Sequence, residues 1–353
     1  MISFALVGCG RIAKRHSELL GLNQIKGARL VAVCDLVKSK ALKISKQFGI
    51  PHYTNMHEMM HKEKIDAVVV LTESGNHAKT VLDLVKYHKH VVVEKPMALR
   101  LEDADLMINE FAKIDKKLFV VKQNRFNLPV LKLRQAIEQG RFGKLVLGTI
   151  RVRWCRPQEY YDQAAWRGKW SMDGGVLTNQ ASHHIDMLVW MMGDVESVFA
   201  RSSTALSKIE AEDTAVVTVK FVNGALGVIE ATTATRPIDL EGSISILGEG
   251  GTVEIAGFAV NKMKTWNFVK DISDDDNVMD KYSVNPPNVY GFGHQAYYDY
   301  VVDCIRNNSP HLVDGVAGRK SLEVITAIYR SIETGDEVFL ADSPKSSKLG
   351  ISL

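Results

Sequence analysis

The sequence has few cysteines, no long apolar run and almost no imbalance of charge. Its 353 residues include four cysteines (Cys9, Cys34, Cys155 and Cys304), which lie far apart and form no CxxC pair. With no basic, apolar leader in the N-terminal MISFALVGCGRIAKRH, they read as reduced thiols of a cytoplasmic protein. No apolar stretch reaches the roughly 20 residues that a membrane-spanning helix needs, so a membrane protein of that kind is not expected. Lys and Arg total 44 against 41 Asp and Glu, a net charge of +3. That balance offers no electrostatic footprint for nucleic acid or for an anionic membrane surface.

What is present is an ordinary globular composition, 46% hydrophobic, at a length that suggests two domains. From Ile2 to about Gln123, short apolar runs at Phe4–Val7, Leu30–Cys34, Ala67–Leu71, Val91–Val93 and Phe119–Val121 alternate with amphipathic segments such as Lys38–Phe48 and Lys79–His88. Continuous apolar strands separated by helices predict an α/β Rossmann domain with a doubly wound parallel sheet over residues 1–123. Beyond it, helices at Leu128–Gly140 and Val176–Met192 precede strand-like stretches at Ala215–Phe221, Ala225–Thr233, Gly242–Leu247, Gly251–Ile255 and Ala259–Trp266. Two further helices, Phe292–Asn307 and Gly318–Thr334, follow a surface loop spanning Asp271–Asp280 and Asn285–Asn288. Residues 124–353 are therefore expected to form an α+β domain with a large, open, mainly antiparallel sheet.

Gly8-Cys9-Gly10-Arg11-Ile12-Ala13 follows the first strand and opens a helix, as the GxGxx(G/A) dinucleotide fingerprint does. The first glycine permits the tight turn, the second lets a pyrophosphate approach the backbone, and Ala13 permits close helix–strand packing. Asp35, at the end of the next strand, is suited to accept hydrogen bonds from ribose hydroxyls and to repel a 2′-phosphate, which favours NAD over NADP. His57-Glu58-Met59-Met60-His61 is a literal HExxH. Met56, Met59 and Met60 would form the buried face of that short helix, turning both histidines to solvent, and no metal is expected there.

Two clusters carry the chemistry. Glu94-Lys95-Pro96 closes a parallel strand, the end at which ligands bind, and a lysine there could stabilise a developing alkoxide. In Gly174-Gly175-Val176-Leu177-Thr178-Asn179-Gln180-Ala181-Ser182-His183-His184-Ile185-Asp186, a continuous helix would put Asn179, His183 and Asp186 on one face. His183 is then a proton acceptor near neutral pH, and His184, about 100° away, a structural histidine.

Together these motifs resemble the glucose–fructose oxidoreductase / inositol dehydrogenase / MocA family of NAD(P)-dependent dehydrogenases, and the resemblance spans the chain. It implies Lys95 and His183 as the catalytic pair. It also implies cofactor contacts from Gly8, Gly10, Arg11, Ile12, Asp35, Thr72, Ser74, His77, Glu94, Lys95, Gln123, Trp166 and Arg167, with Glu94 and Gln123 bordering the nicotinamide ribose. Phe119–Arg125, Arg156–Asp162, Trp166–Gly168 and Thr178–His183 are similar to the nucleotide-sugar branch, the bacterial UDP-N-acetylglucosaminuronate 3-dehydrogenases. Asn179, where many relatives carry Asp, fits that branch. It implies a UDP-linked sugar acid as substrate, met by Lys95, Arg156, Tyr160, Gln163, Asn179 and His183, a role in surface-polysaccharide sugar biosynthesis, and a homotetramer or dimer. The alternatives are an inositol or free-hexose dehydrogenase and a non-catalytic cofactor sensor.

Overall fold

The computed structural model describes every residue except 271, 273–275, 284–291, 347 and 352–353. The chain forms two compact units, Met1–Lys122 with His294–Arg319, and Gln123–Gly293 with Lys320–Leu353.

The first unit follows the chain as β1 (Ile2–Val7), α1 (Ala13–Gly21), β2 (Ala28–Cys34), α2 (Lys38–Phe48), β3 (His52–Tyr53), α3 (Met56–Lys62), β4 (Ala67–Val70), α4 (His77–Leu84), β5 (His90–Val93), α5 (Leu101–Lys113) and β6 (Leu118–Val120). The strands are parallel and ordered β3-β2-β1-β4-β5-β6, the doubly wound order in which the strand direction of travel reverses beside β1. Every residue of β4 is buried, as a strand covered on both faces requires. The five expected strands form, and the structure adds the two-residue edge strand β3. His294–Arg319, which a boundary at residue 123 leaves in the second domain, clusters with the first unit; the amide of Val120 donates to the Val313 carbonyl at 2.8 Å.

The second unit is built on α6 (Leu128–Glu138), β7 (Leu145–Arg153), α7 (Gln158–Asp162), α8 (Ser182–Met192), β8 (Val195–Ser203), β9 (Thr214–Phe221), β10 (Leu226–Thr232), β11 (Glu241–Gly248), β12 (Gly251–Ala256), β13 (Lys262–Phe268) and α9 (Val278–Lys281). The chain closes with α10 (Gly293–Asn307), α11 (Gly315–Thr334) and β14 (Val338–Phe339). An eight-stranded sheet runs β13-β12-β11-β7-β10-β9-β8-β14, antiparallel except where β10 pairs with β7. One face is apolar, with Ala215, Val217, Val219 and Phe221 alternating inward along β9. β7 and β8 are absent from the sequence reading, although buried Ile150 and Val152 alternate with Arg151 and Arg153 along β7. α8 covers the inner face, and a Cβ on Gly148 would come within 2.7 Å of Met192.

The helix expected from Val176 begins instead at Ser182. The amides of Val176 and Leu177 are spent on the Glu212 carbonyl and side chain, and the Ala181 amide reaches five residues back to Val176. Residues 176–181 are thus a wide turn, and Asn179 does not share a helix face with His183. The Asn285–Asn288 loop, and Asp271 with residues 273–275 of the acidic stretch, lie outside the described residues.

Candidate active site

In the first unit, Gly8 adopts φ +99°, and a Cβ there would lie 2.5 Å from the Leu71 carbonyl. Gly8→Ala is therefore expected to destabilise this unit by at least about 1–3 kcal/mol and to weaken NADH binding, read by thermal melting and fluorescence titration. Gly10 differs, because a Cβ would meet nothing within 4 Å. The protein's own packing does not demand glycine at that position, which fits a ligand that approaches the backbone there. Ala13 is fully buried at the start of α1, and Arg11 and Ile12 sit on the turn before it. Asp35 does more than the sequence shows. Its carboxylate accepts the Cys9 amide at 2.7 Å and the Val37 amide at 2.8 Å, so the acid at the end of β2 also braces the glycine turn. Thr72 has a buried hydroxyl with no partner among the described residues, as a ligand-facing group would. Ser74 is buried in the turn that follows. His77 has one ring nitrogen 2.7 Å from the Pro96 carbonyl and the other 3.0 Å from that of Thr72. Burial pushes its pKa down, so the neutral ring donates to one carbonyl at a time and ties the β4 and β5 loops together.

Glu94 and Lys95 follow β5, with the Lys95–Pro96 peptide cis. Glu94 is buried, accepting His16 Nε2 at 3.0 Å and the Lys95 amide at 3.0 Å. Burial alone would raise its pKa, but the bond and charge of His16, with lesser help from His294 and Lys95, bring it down to about 2. It is a carboxylate at any working pH.

In the second unit, His183 lies in the first turn of α8, half-buried, with Nε2 3.1 Å from Gln123 Nε2. An amide nitrogen only donates, so His183 Nε2 is the unprotonated nitrogen, free of a proton and able to take one. Gln123, expected beside the nicotinamide ribose, thus also sets the histidine's tautomer. Its Oε1 is buried without a partner among the described residues. Asp186 pairs with a cation. It receives a two-pronged bond from Arg125 at 2.7 Å for each oxygen, and Arg125 lies over Trp190. His184 is fully buried with neither ring nitrogen bonded among the described residues; desolvation takes its pKa down to about 3.

The turn before α8 is fixed by groups that carry no motif of their own. Glu212 accepts from the Leu177 amide and the Tyr329 hydroxyl, both at 3.0 Å, and burial pushes its carboxyl up to about 7. Thr178 donates to Tyr329 at 2.8 Å, and Asn179 donates to both oxygens of buried Asp173 at 2.8 and 2.9 Å. Near α7, the Tyr160 ring has the Arg167 guanidinium 4.0 Å from its centre and that of Arg156 at 5.5 Å. Arg156 spends a nitrogen on Asp239 at 2.8 Å, whereas Arg167 has a buried Nε without a partner among the described residues. Trp166 lies under the same guanidinium at 5.2 Å, and Gln163, closing α7, is exposed. The structure therefore gathers Arg156, Tyr160, Trp166 and Arg167 into one aromatic and cationic cluster.

The HExxH segment forms α3 with Met59 and Met60 buried. His57 does not face solvent as expected; it is half-buried and bonds the Tyr87 hydroxyl at 2.8 Å, and His61 meets the Tyr87 ring edge-on. Glu58 pairs with Lys62. The one group of three ligand-type side chains among the described residues that could close on an ion is elsewhere, at His16, Glu94 and His294.

Residues 2–122 match the NAD-binding Rossmann fold of an oxidoreductase family, and residues 134–340 match that family's C-terminal alpha/beta domain. Among solved structures, the chain is similar to the WlbA dehydrogenase of Bordetella pertussis, crystallised with NADH and UDP-GlcNAcA. The identity is 42% with a TM-score of 0.88, covering 96% of this chain and 98% of that one. The Chromobacterium violaceum WlbA dehydrogenase, crystallised with the same two ligands, is 41% identical with a TM-score of 0.89, covering 96% and 95%. Among curated relatives, a myo-inositol 2-dehydrogenase of Thermotoga maritima is 29% identical over 96% of this chain and 98% of its own length.

Proposed function

The chain belongs to the glucose–fructose oxidoreductase, inositol dehydrogenase and MocA family of NAD-dependent oxidoreductases, and on that premise we propose that it oxidises the C3 hydroxyl of UDP-N-acetylglucosaminuronate to a ketone. The observation that carries the substrate is the 42% identity, over nearly the whole chain, to a dehydrogenase crystallised with NADH and UDP-GlcNAcA. The cationic cluster at Arg156 and Arg167 supports an anionic sugar, since a guanidinium binds a carboxylate through two parallel bonds.

NAD, when bound, supplies the acceptor for the hydride leaving the sugar carbon. Gly8, Gly10, Arg11, Ile12, Asp35, Thr72, Ser74 and Glu94 would hold it in the first unit, with Trp166 and Arg167 as further contacts. The open approach at Gly10 and the orphan hydroxyl of Thr72 fit that group. His183, whose Nε2 is placed by Gln123, takes the hydroxyl proton. Lys95 holds the substrate oxygen and stabilises its negative charge as the C–H bond breaks. Tyr160, Gln163 and Asn179 are assigned to the sugar.

The 29% identity to myo-inositol 2-dehydrogenase supports a second reading, a free cyclitol substrate. Incubating the protein with NAD and either UDP-N-acetylglucosaminuronate or myo-inositol separates the two. The expected result is NADH formation with the nucleotide sugar, with the 3-keto product identified by mass spectrometry. Turnover of the inositol alone would reject the substrate assignment and keep the dehydrogenase.

A further inference from the structure

The buried heart of the first unit holds a polar chain that ends at Lys95. From α10, the Tyr298 hydroxyl lies 2.6 Å from His16 Nδ1. From α1, His16 Nε2 lies 3.0 Å from Glu94 Oε1. Glu94 Oε2 then accepts the Lys95 amide at 3.0 Å. His16 and Tyr298 are fully buried, and both sit on helices rather than on a ligand-facing strand end.

We propose that His16 and Tyr298 are positioning residues, which hold the Glu94 carboxylate against the Lys95 backbone and so aim the β5 strand end at the cofactor and substrate. The direction of the chain at Glu94 follows from the groups themselves. An ionised carboxylate only accepts, so His16 Nε2 donates to it. Burial and the nearby Glu94 keep the Tyr298 hydroxyl protonated, and a phenol can meet His16 Nδ1 as donor to a neutral ring or as acceptor from a charged one. His16 therefore links phenol to carboxylate whether neutral or charged, and both Glu94 oxygens are fixed. Phe4 of β1 packs edge-on against Tyr298 at 5.8 Å, which holds the phenol in place without competing for its proton.

His294 stands edge-on to His16 at 5.5 Å, and the ligand-type atoms of His16, Glu94 and His294 lie within 4.8 Å of one another. That spacing is loose beside the edge of a tetrahedral metal site, roughly 3.3–3.5 Å for bonds of about 2.0–2.1 Å. The His16 nitrogens are already spent on Tyr298 and Glu94. The arrangement is that of a hydrogen-bond relay rather than a metal cage.

The consequence for Lys95 rests on the catalytic role given to it above, so the test uses one readout with the sugar and one without. His16→Ala is expected to lower kcat by about 10–100-fold, and Tyr298→Phe by about 3–10-fold, each the loss of a buried hydrogen bond to or through a charge. His16→Gln, which keeps a donor towards Glu94, should recover most of the loss. The second readout is NADH affinity against pH, which needs no sugar. The charged and titratable groups facing Glu94 are His16, His294, Lys95 and His77, together with Tyr297 and Tyr298. Removing His16 removes the largest influence holding the Glu94 pKa down and leaves desolvation to raise it. His16→Ala should therefore weaken NADH binding as pH falls towards the acid side of neutrality, where the wild type is flat. Adding Glu94→Gln should abolish that dependence.

Equal losses in His16→Ala and His16→Gln with an unchanged pH profile would reduce His16 to a packing residue and overturn the proposal. So would a stoichiometric metal whose removal by chelator costs activity. A wild type inert towards every sugar, combined with the His16→Ala pH dependence of NADH binding, would keep the relay and reject the proposed function. A wild type active on the nucleotide sugar, with unaffected variants, would do the reverse.

Discussion

His183→Asn is expected to lower kcat by about two to four orders of magnitude while leaving NADH binding unchanged, measured by initial rates and fluorescence titration on the same preparation. The expectation follows from the ring's bonding. Gln123 donates to Nε2, so the basic nitrogen is held in a defined place and carries no proton. Asparagine keeps a polar group on α8, though it stops short of the Nε2 position, and its amide cannot take a proton at any working pH. The loss should therefore fall on kcat rather than on stability, and wild-type and variant melting temperatures should agree. A kcat within about threefold of wild type would be far below what a proton carrier contributes. It would remove His183 from the mechanism and leave Lys95 as the base.

Much of the first unit was legible because its strands are continuous apolar runs and Gly8 sits where only glycine fits. Gly8 at φ +99° and the five expected strands follow from local chemistry that a short window of residues contains. Asp35 was legible as an acid at a strand end, but its bond to the Cys9 amide was not, since that depends on how two loops 26 residues apart approach. The site's supporting residues were harder still. Glu212 and Tyr329 fix the turn at 175–178 from far along the chain, and His16 and Tyr298 are 282 residues apart. A histidine three residues after Ala13, on the buried side of α1 with Leu19 and Leu20, was the one local hint that a polar group was being carried inward. The false helix at Val176–Ala181 has a similar cause. Its apolar spacing continues that of α8, and a tertiary partner, Glu212, takes amides that a helix would have left to water.

Asp186→Ala should be the most destabilising substitution in the second unit, by about 3–5 kcal/mol, read as a shift of the urea midpoint. Asp186 and Arg125 are both buried and joined by two bonds of 2.7 Å, so deleting the acid takes both bonds from a buried guanidinium that cannot lose its charge. Stacking on Trp190 gives that guanidinium some compensation but accepts none of its hydrogens. A paired change to apolar residues, Arg125→Met with Asp186→Leu, should recover most of the stability, because the large term is the unpaired charge and not the pair's own attraction. Activity should not return with it. Gln123 and Arg125 share the short turn Gln123–Phe126, and His183 and Asp186 share the first turns of α8. The ion pair and the Gln123–His183 bond are therefore two attachments between the same two segments, and the first fixes the geometry of the second. A double variant with recovered stability and a lowered kcat would separate that positioning role from folding; one with full activity would show that the Gln123–His183 bond holds the turn by itself.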